Sequence, residues 1–257
     1  MIYDVVIIGA GISGFIIATE CQKKNLSYII VEKSKNVGGR IAARRFDGVS
    51  FDYGLEDVDN HVQEDLEAYF KVPFSHPLNN WSKEIGSRFE IINGYRVQSL
   101  SRTEDGWKVG DKYEGRKVVM TMPSRQTYDL LKTCDHELPK LLEVDYESAI
   151  FYFAYNPRIQ DHDQFEMLYQ QRDLFKYEYL GEFRDEKREE LKAEFDKLFE
   201  PDESFCHKWR YCVPKSKLSE KIQVRFTSEG ILMCGDYFIK QGVEGSFLSS
   251  LYLREFL

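Results

Sequence analysis

Val5-Val6-Ile7-Ile8-Gly9-Ala10-Gly11-Ile12-Ser13-Gly14 is the stretch that decides the fold. Its four β-branched residues, held between Asp4 and Gly9, read as a parallel strand buried on both faces. Phe15 to Gln22 then has helical composition, with Ile16, Ile17 and Ala18 supplying apolar surface. Tyr28-Ile29-Ile30-Val31 is a second buried strand, and it ends on Glu32. Strand, glycine turn, helix, strand and terminal acid within about thirty residues form a dinucleotide-binding unit.

Each position has a physical role. Gly9 permits a tight turn, Gly11 lets the backbone approach a pyrophosphate, and Gly14 lets the helix pack against the strand. Ala10, Ile12 and Ser13 complete the turn. The N–H groups that open the helix offer donors and a partial positive charge to phosphates. A carboxylate at Glu32 accepts hydrogen bonds from ribose hydroxyls and repels a 2′-phosphate. The competing reading is a glycine turn that holds no ligand, and the strand–helix–strand context weighs against it.

The next segment selects among dinucleotides. Glu32-Lys33 leads to Val37-Gly38-Gly39-Arg40. An NAD fold has no need of a second glycine pair here, whereas the pyrophosphate and flavin chain of FAD run past this loop. Arg40 is expected to approach the phosphates as a charged donor. Of Arg44 and Arg45, one is expected to support cofactor or substrate and the other to be surface charge.

Composition bounds the rest. A chain of 257 residues accommodates one large domain or two modest ones, with a core that needs neither metal nor disulfide. Its net charge of −8 argues against a nucleic-acid partner. The acidity is concentrated in residues 51–200, which carry −12, while 1–50 carry +3 and 201–257 carry +1. Positive ends suit a phosphate-bearing ligand held there. No apolar run reaches the roughly 18 residues of a membrane span. The five cysteines form no CxxC pair and are odd in number, so reduced thiols in a cytoplasmic protein are expected. The apolar run at 5–8 is too short for a signal peptide.

Further along, 51–54 reads as a strand into a turn, and 61–70 as a helix with Val62, Leu66, Tyr69 and Phe70 on one face. Strands are expected at 89–92, 95–100 and 117–121, with Trp107-Lys108-Val109 returning as a hairpin. Ser124 is a candidate N-cap for a helix to about 132. Aromatic strands at 150–155 and 177–183 precede a charged helix at 185–200. Near the C-terminus, His207-Lys208-Trp209-Arg210-Tyr211 alternates as a strand, and residues 230–234 form a last apolar strand running into Gly235-Asp236. Gly242-Val243-Glu244-Gly245-Ser246 then opens a helix whose N–H groups can face a flavin edge. Asp236 is expected either to hydrogen-bond the ribityl chain or to organise the loop. His207, Trp209 and Tyr211 are candidates for a cavity wall, with core aromatic packing as the alternative.

The segments GAGISG (9–14), EKSKNVGGRIAARR (32–45), HKWRY (207–211) and CGDYFIKQGVEGSFLS (234–249) together resemble the renalase branch of the flavin-containing amine oxidase superfamily. The resemblance implies a Rossmann-like α/β FAD-binding domain with a β-meander, plus a small α+β substrate-covering region. It implies a discontinuous FAD domain over 1–57, 95–135 and 205–257, with a reduced cap over 58–94 and 136–204. FAD would lie across the GxGxxG turn, Glu32, Lys33, Gly39, Arg40 and the Val97 strand, closed by Gly235, Asp236, Val243, Glu244 and Gly245. The family usually reads Asp-x-Gly-Ala-Gln where this chain has Asp52-Tyr53-Gly54-Leu55-Glu56, so Glu56 becomes a cavity-wall candidate beside the flavin. The implied activity is oxidation of a small dihydronicotinamide-type or amine donor, with oxygen as acceptor. The alternative is a flavin-binding module with little turnover, serving interaction or redox sensing. Substrate and oligomeric state stay open.

Overall fold

The computed structural model describes residues 1–46, 49–54, 58–134, 142–158, 166–171, 174–181 and 187–257. Two compact units emerge, one of Met1–Val144 with Ser216–Leu257 and one of Asp145–Lys215.

In the first unit β1 (Ile2–Ile8) pairs in parallel with β2 (Tyr28–Glu32), and α1 (Ile12–Lys23) connects them. β3 (Ala43–Phe46) and β4 (Val49–Asp52) form a small antiparallel pair. α2 (Asn60–Phe70) and α3 (Leu78–Gly86) follow, and β5 (Ile91–Asn93) then adds to β2 in parallel. β6 (Leu100–Arg102), β7 (Trp107–Val109) and β8 (Tyr113–Met120) make an antiparallel meander. β8 also pairs in parallel with β1, which fuses the meander to the main sheet. α4 is Ser124–Leu131. Ser124 is its first helical residue and Pro123 the cap position, because proline at the boundary already supplies the required extended backbone.

The second unit is a four-stranded antiparallel sheet with one helix. Its strands are β9 (Tyr146–Tyr155), β10 (Glu166–Gln171), β11 (Leu174–Gly181) and β12 (Glu203–Pro214), ordered β10-β11-β9-β12. α5 (Lys187–Phe199) covers the face that carries Tyr152, Ala154, Phe175 and Tyr177, with Phe195 and Phe199 buried against them. The chain then returns to the first unit through α6 (Glu220–Val224), β13 (Ile231–Met233) and α7 (Gly242–Tyr252). β13 extends the parallel sheet beyond β8.

Neighbouring residues of a strand point to opposite faces, and Val5, Val6, Ile7, Val118 and Val119 are all fully buried, so both faces of the parallel sheet are covered. α1 is buried on most of its surface: Phe15, Ile16, Ile17 and Ala18 pack in one cluster with Leu66, Phe70, Trp81, Ile85 and Phe247. All five cysteines are free.

Three expectations differ from this arrangement. Residues 58–94, expected to be cap, belong to the first unit, because the apolar stripes of α2 and α3 close over α1. Residues 205–215, expected in the FAD domain, belong to the second unit, because β12 pairs with β9 from Glu203 to Pro214. The strand expected around Val97 is absent: 95–99 has no regular structure, and Val97 is half-buried. The Gly94 and Tyr95 N–H groups bond to Ser34 O and Glu32 O at 2.9 Å each, so the end of β2 captures this backbone before a strand can start.

Candidate functional site

The candidate site lies at the C-terminal ends of β1 and β2, where open parallel sheets place their ligands. Gly9 has φ +114° and its N–H bonds to Val31 O at 2.9 Å, turning the chain out of β1. Thr121, just beyond β8, donates its Oγ1 hydrogen towards Ile8 O and Gly9 O at 3.0 and 3.1 Å. A Cβ on Gly14 would lie 2.1 Å from Gly9 O, so only glycine lets α1 start this close to the turn. Gly11 is the N-cap of α1; no side chain caps the helix, and its first turn holds no acid. The opening N–H groups of Ile12, Ser13 and Gly14 are the ones an α-helix leaves without an internal acceptor. Ser13 Oγ reaches Ser246 O at 3.5 Å, which ties the start of α1 to the second turn of α7.

Ala10 couples both glycine turns to Glu32. Its N–H donates to Glu32 Oε2 at 2.8 Å, and its carbonyl accepts from Gly38 N–H at 2.8 Å. Ser34 N–H occupies Glu32 Oε1 at 2.8 Å. The buried carboxylate thus fixes the first turn and leaves each oxygen one further lone pair for a hydroxyl donor. Lys33 Nζ donates to Gln126 Oε1 at 3.2 Å, and surrounding protein together with the Arg96 cation lowers its pKa.

Gly39 has φ +60°, and its Cα faces Gly11: a Cβ on either residue would meet the other's Cα at 3.4–3.8 Å. Two bare backbones therefore line one cleft at the mouth of α1. Arg40 was expected to approach phosphates; here its Nη2 lies 2.7 Å from Asp236 Oδ1. Asp236 Oδ2 accepts from Gly242 N–H at 3.3 Å, so this residue organises the loop before α7. Gly235 is pinned from both sides by Ser249 Oγ, which accepts its N–H at 3.0 Å and donates to its carbonyl at 2.9 Å. Val243 and Gly245 are buried in the first turn of α7, while Glu244 pairs with Lys240.

The first unit thus gathers 9–14, Glu32, Lys33, Gly39, Arg40, Gly235, Asp236 and 243–245. His207, Trp209 and Tyr211 lie in the second unit. His207 and Trp209 pack edge to face at 4.7 Å, whereas Tyr211 turns to Tyr146 at 5.4 Å, because pairing with β9 becomes irregular between Trp209 and Val213. Glu56 lies outside the described residues. Sequence reading missed Thr121 and Ser249, since a hydroxyl on a strand end or helix face shows no role until the sheet order brings it to a glycine.

The glycine-faced cleft, the uncapped helix start and the buried acid at the end of β2 fit the pyrophosphate and ribose of a dinucleotide such as FAD. Residues 7–71 match the model of the NAD(P)-binding Rossmann-like domain. A nicotine dehydrogenase of Pseudomonas putida (strain DSM 28022 / S16) is 28% identical over 115 residues, which span 44% of this chain and 23% of that protein. Among solved structures, a provisionally assigned protoporphyrinogen oxidase from Exiguobacterium sp. 255-15 superposes with a TM-score of 0.74 at 12% identity, covering 98% of this chain and 97% of the other. A fatty acid isomerase from P. acnes that produces CLA gives 0.70 at 10% identity, covering 99% of each chain. Putrescine oxidase bound to putrescine gives 0.65 at 12% identity, covering 99% and 98%. The chain therefore has a Rossmann-like parallel sheet in a mixed α/β fold shared with these solved structures.

Proposed function

We propose that the chain is an FAD-dependent oxidoreductase of the amine oxidase type, close to renalases, acting on a small dihydronicotinamide-type or amine donor. The observation that carries this reading is the pair of facing glycine turns, Gly11 and Gly39, tied by Ala10 to the Glu32 carboxylate. A plain NAD-binding unit needs the first turn alone. Bound FAD would supply hydride acceptance at its N5 and reoxidation by oxygen.

The chain's own residues position and shield. The N–H groups of Ile12, Ser13 and Gly14 would bind pyrophosphate oxygens, and Glu32 would accept from ribose hydroxyls. Arg40, held by Asp236, would keep the second turn closed over the phosphates and add positive charge there. The first turn of α7 would present donors and a positive dipole end to the cofactor.

The visible spectrum of purified protein tests this. Bands near about 370 and 450 nm are expected of an oxidised flavin. Their absence after incubation with FAD would sink the proposal. Anaerobic mixing with dihydronicotinamides and with amines then separates an active enzyme, which bleaches rapidly with one of them, from a flavin-binding module without turnover.

A further inference from the structure

The peptide unit between Gly9 and Ala10 is held at both ends by side chains distant in sequence. Its N–H, on Ala10, donates to Glu32 Oε2 at 2.8 Å. Its carbonyl, on Gly9, receives the Thr121 hydroxyl at 3.1 Å. The same hydroxyl lies 3.0 Å from Ile8 O, but Ile8 O already receives the Thr121 N–H at 3.1 Å. Gly9 O is therefore the acceptor that depends on the Thr121 side chain. Sheet order makes this contact: β8 runs parallel to β1 with Met120 opposite Ile8, so the residue after β8 comes level with the first residue of the turn. Two glycines leave room for it. A Cβ on Gly9 would lie 2.5 Å from Thr121 Oγ1, and one on Gly14 would lie 2.1 Å from Gly9 O.

We propose, on the flavin reading of the cleft, that Thr121 is a positioning residue for the adenosine ribose of the cofactor, acting on Glu32 through the Gly9–Ala10 peptide. Hydrogen bonds at the carbonyl and the N–H of one peptide polarise each other, so the hydroxyl strengthens the bond from Ala10 to Glu32. They also set the peptide's orientation. If the unit turned over, Gly9 O would face the Glu32 carboxylate, and two acceptors would repel. With the peptide held, Glu32 keeps its place at the end of β2 and offers its remaining lone pairs to ribose hydroxyls. A threonine hydroxyl has one hydrogen, and main-chain oxygens claim it here, so Thr121 acts through Glu32 and not on the ligand. Thr121→Val keeps the branched shape and removes the hydroxyl, whereas Thr121→Ser keeps the hydroxyl.

Titration of the flavin-free, full-length protein with FAD, and with FAD lacking the adenosine 2′-hydroxyl, tests this. Thr121→Val should weaken FAD binding about fivefold, and Thr121→Ser should stay within about twofold of wild type. Loss of the 2′-hydroxyl should cost wild type about tenfold in affinity, but Thr121→Val about threefold or less, because its Glu32 is no longer held for that hydroxyl. Urea unfolding without flavin gives a second measure: Thr121→Val should lower the midpoint less in a Glu32→Ala background than in wild type. FAD binding by Thr121→Val equal to wild type would overturn the role. An equal weakening of both ligands, or additive shifts in the unfolding midpoint, would reduce Thr121 to a packing residue and overturn it as well. A wild-type protein that takes up no FAD would sink the flavin reading, whereas normal uptake with an unchanged ratio between the two ligands in Thr121→Val would sink this one, so the two failures are distinguishable.

Discussion

Arg40 Nη2 and Asp236 Oδ1 stand 2.7 Å apart, joining the second glycine turn to the loop that opens α7. The carboxylate is almost fully buried and the guanidinium is 18% exposed, so the pair is largely shielded from water. Removing one partner of such a pair leaves an uncompensated charge and costs about 3–5 kcal/mol. Arg40→Ala is expected near the lower end of that range, because its own site is partly wet, and Asp236→Ala is expected to be comparable. Urea unfolding should show the double variant losing less than the sum of the two singles. Additive losses would mean that the pair is not energetically coupled.

Gly14 and Gly11 separate folding from binding. A Cβ at Gly14 would collide with Gly9 O, whereas a Cβ at Gly11 would make only ordinary contacts, with Gly39 Cα at 3.8 Å and Gly38 O at 3.9 Å. The N-cap backbone of Gly11, φ −93° and ψ −174°, is open to any residue. Gly14→Ala should therefore destabilise the chain by several kcal/mol, about the cost of severe overpacking. Gly11→Ala should stay within about 1 kcal/mol of wild type in urea yet hold FAD at least about tenfold more weakly. A Gly11→Ala protein with full flavin occupancy at low FAD would refute the role given to the cleft.

These contacts also show how much was legible in the sequence. Residues 5–32 are readable because each role there is local: β-branched residues make the strand, glycines make the turn, and a short helix returns the chain. The place of 58–94 was not readable. The stripe of Val62, Leu66 and Phe70 announces a buried face, but not that α1 is what it meets. Likewise, alternation in His207–Tyr211 says strand, while only the pairing of β12 with β9 decides its unit and turns Tyr211 away from Trp209. Val97 was misplaced because hydrogen bonds from Gly94 and Tyr95 to the end of β2 override a strand-like composition. Arg40 stands out in the sequence as a site candidate, but its partner Asp236 lies far along the chain, so their pairing is not legible there.

Glu32 is expected to act on both loop order and cofactor. Its two oxygens receive the N–H groups of Ala10 and Ser34. Each hydrogen bond to a charged acceptor is worth about 1.5–3 kcal/mol. Glu32→Ala should thus lower stability by about 2–4 kcal/mol and abolish tight FAD binding. Glu32→Gln keeps the shape but can accept on one atom only, so its loss should be about half as large. Fluorescence-monitored unfolding with and without added FAD measures both effects.

Asp196 is expected to make the stability of the second unit depend on pH in the acid range. Burial alone would raise its pKa, but hydrogen bonds from Lys192, Ser204 and Tyr152 outweigh that and leave it lowered. Lys192 Nζ lies 2.6 Å from Oδ2, and the Tyr152 hydroxyl donates to Oδ1 at 2.8 Å. A carboxylate whose folded pKa lies below its unfolded value binds fewer protons when folded, so it stabilises the fold above the unfolded value of about 3.8. That contribution is lost as pH falls from there through the folded pKa. Asp196→Asn should therefore reduce stability at pH 7 by about 1–2 kcal/mol, discounted because the group is partly exposed. The gap to wild type should shrink below about pH 3.8, where the unfolded wild-type chain takes up a proton that the folded carboxylate still resists. Melting curves recorded between pH 7 and pH 3 decide the matter: a gap that stays constant over that range would show that Asp196 acts through packing and not through its charge.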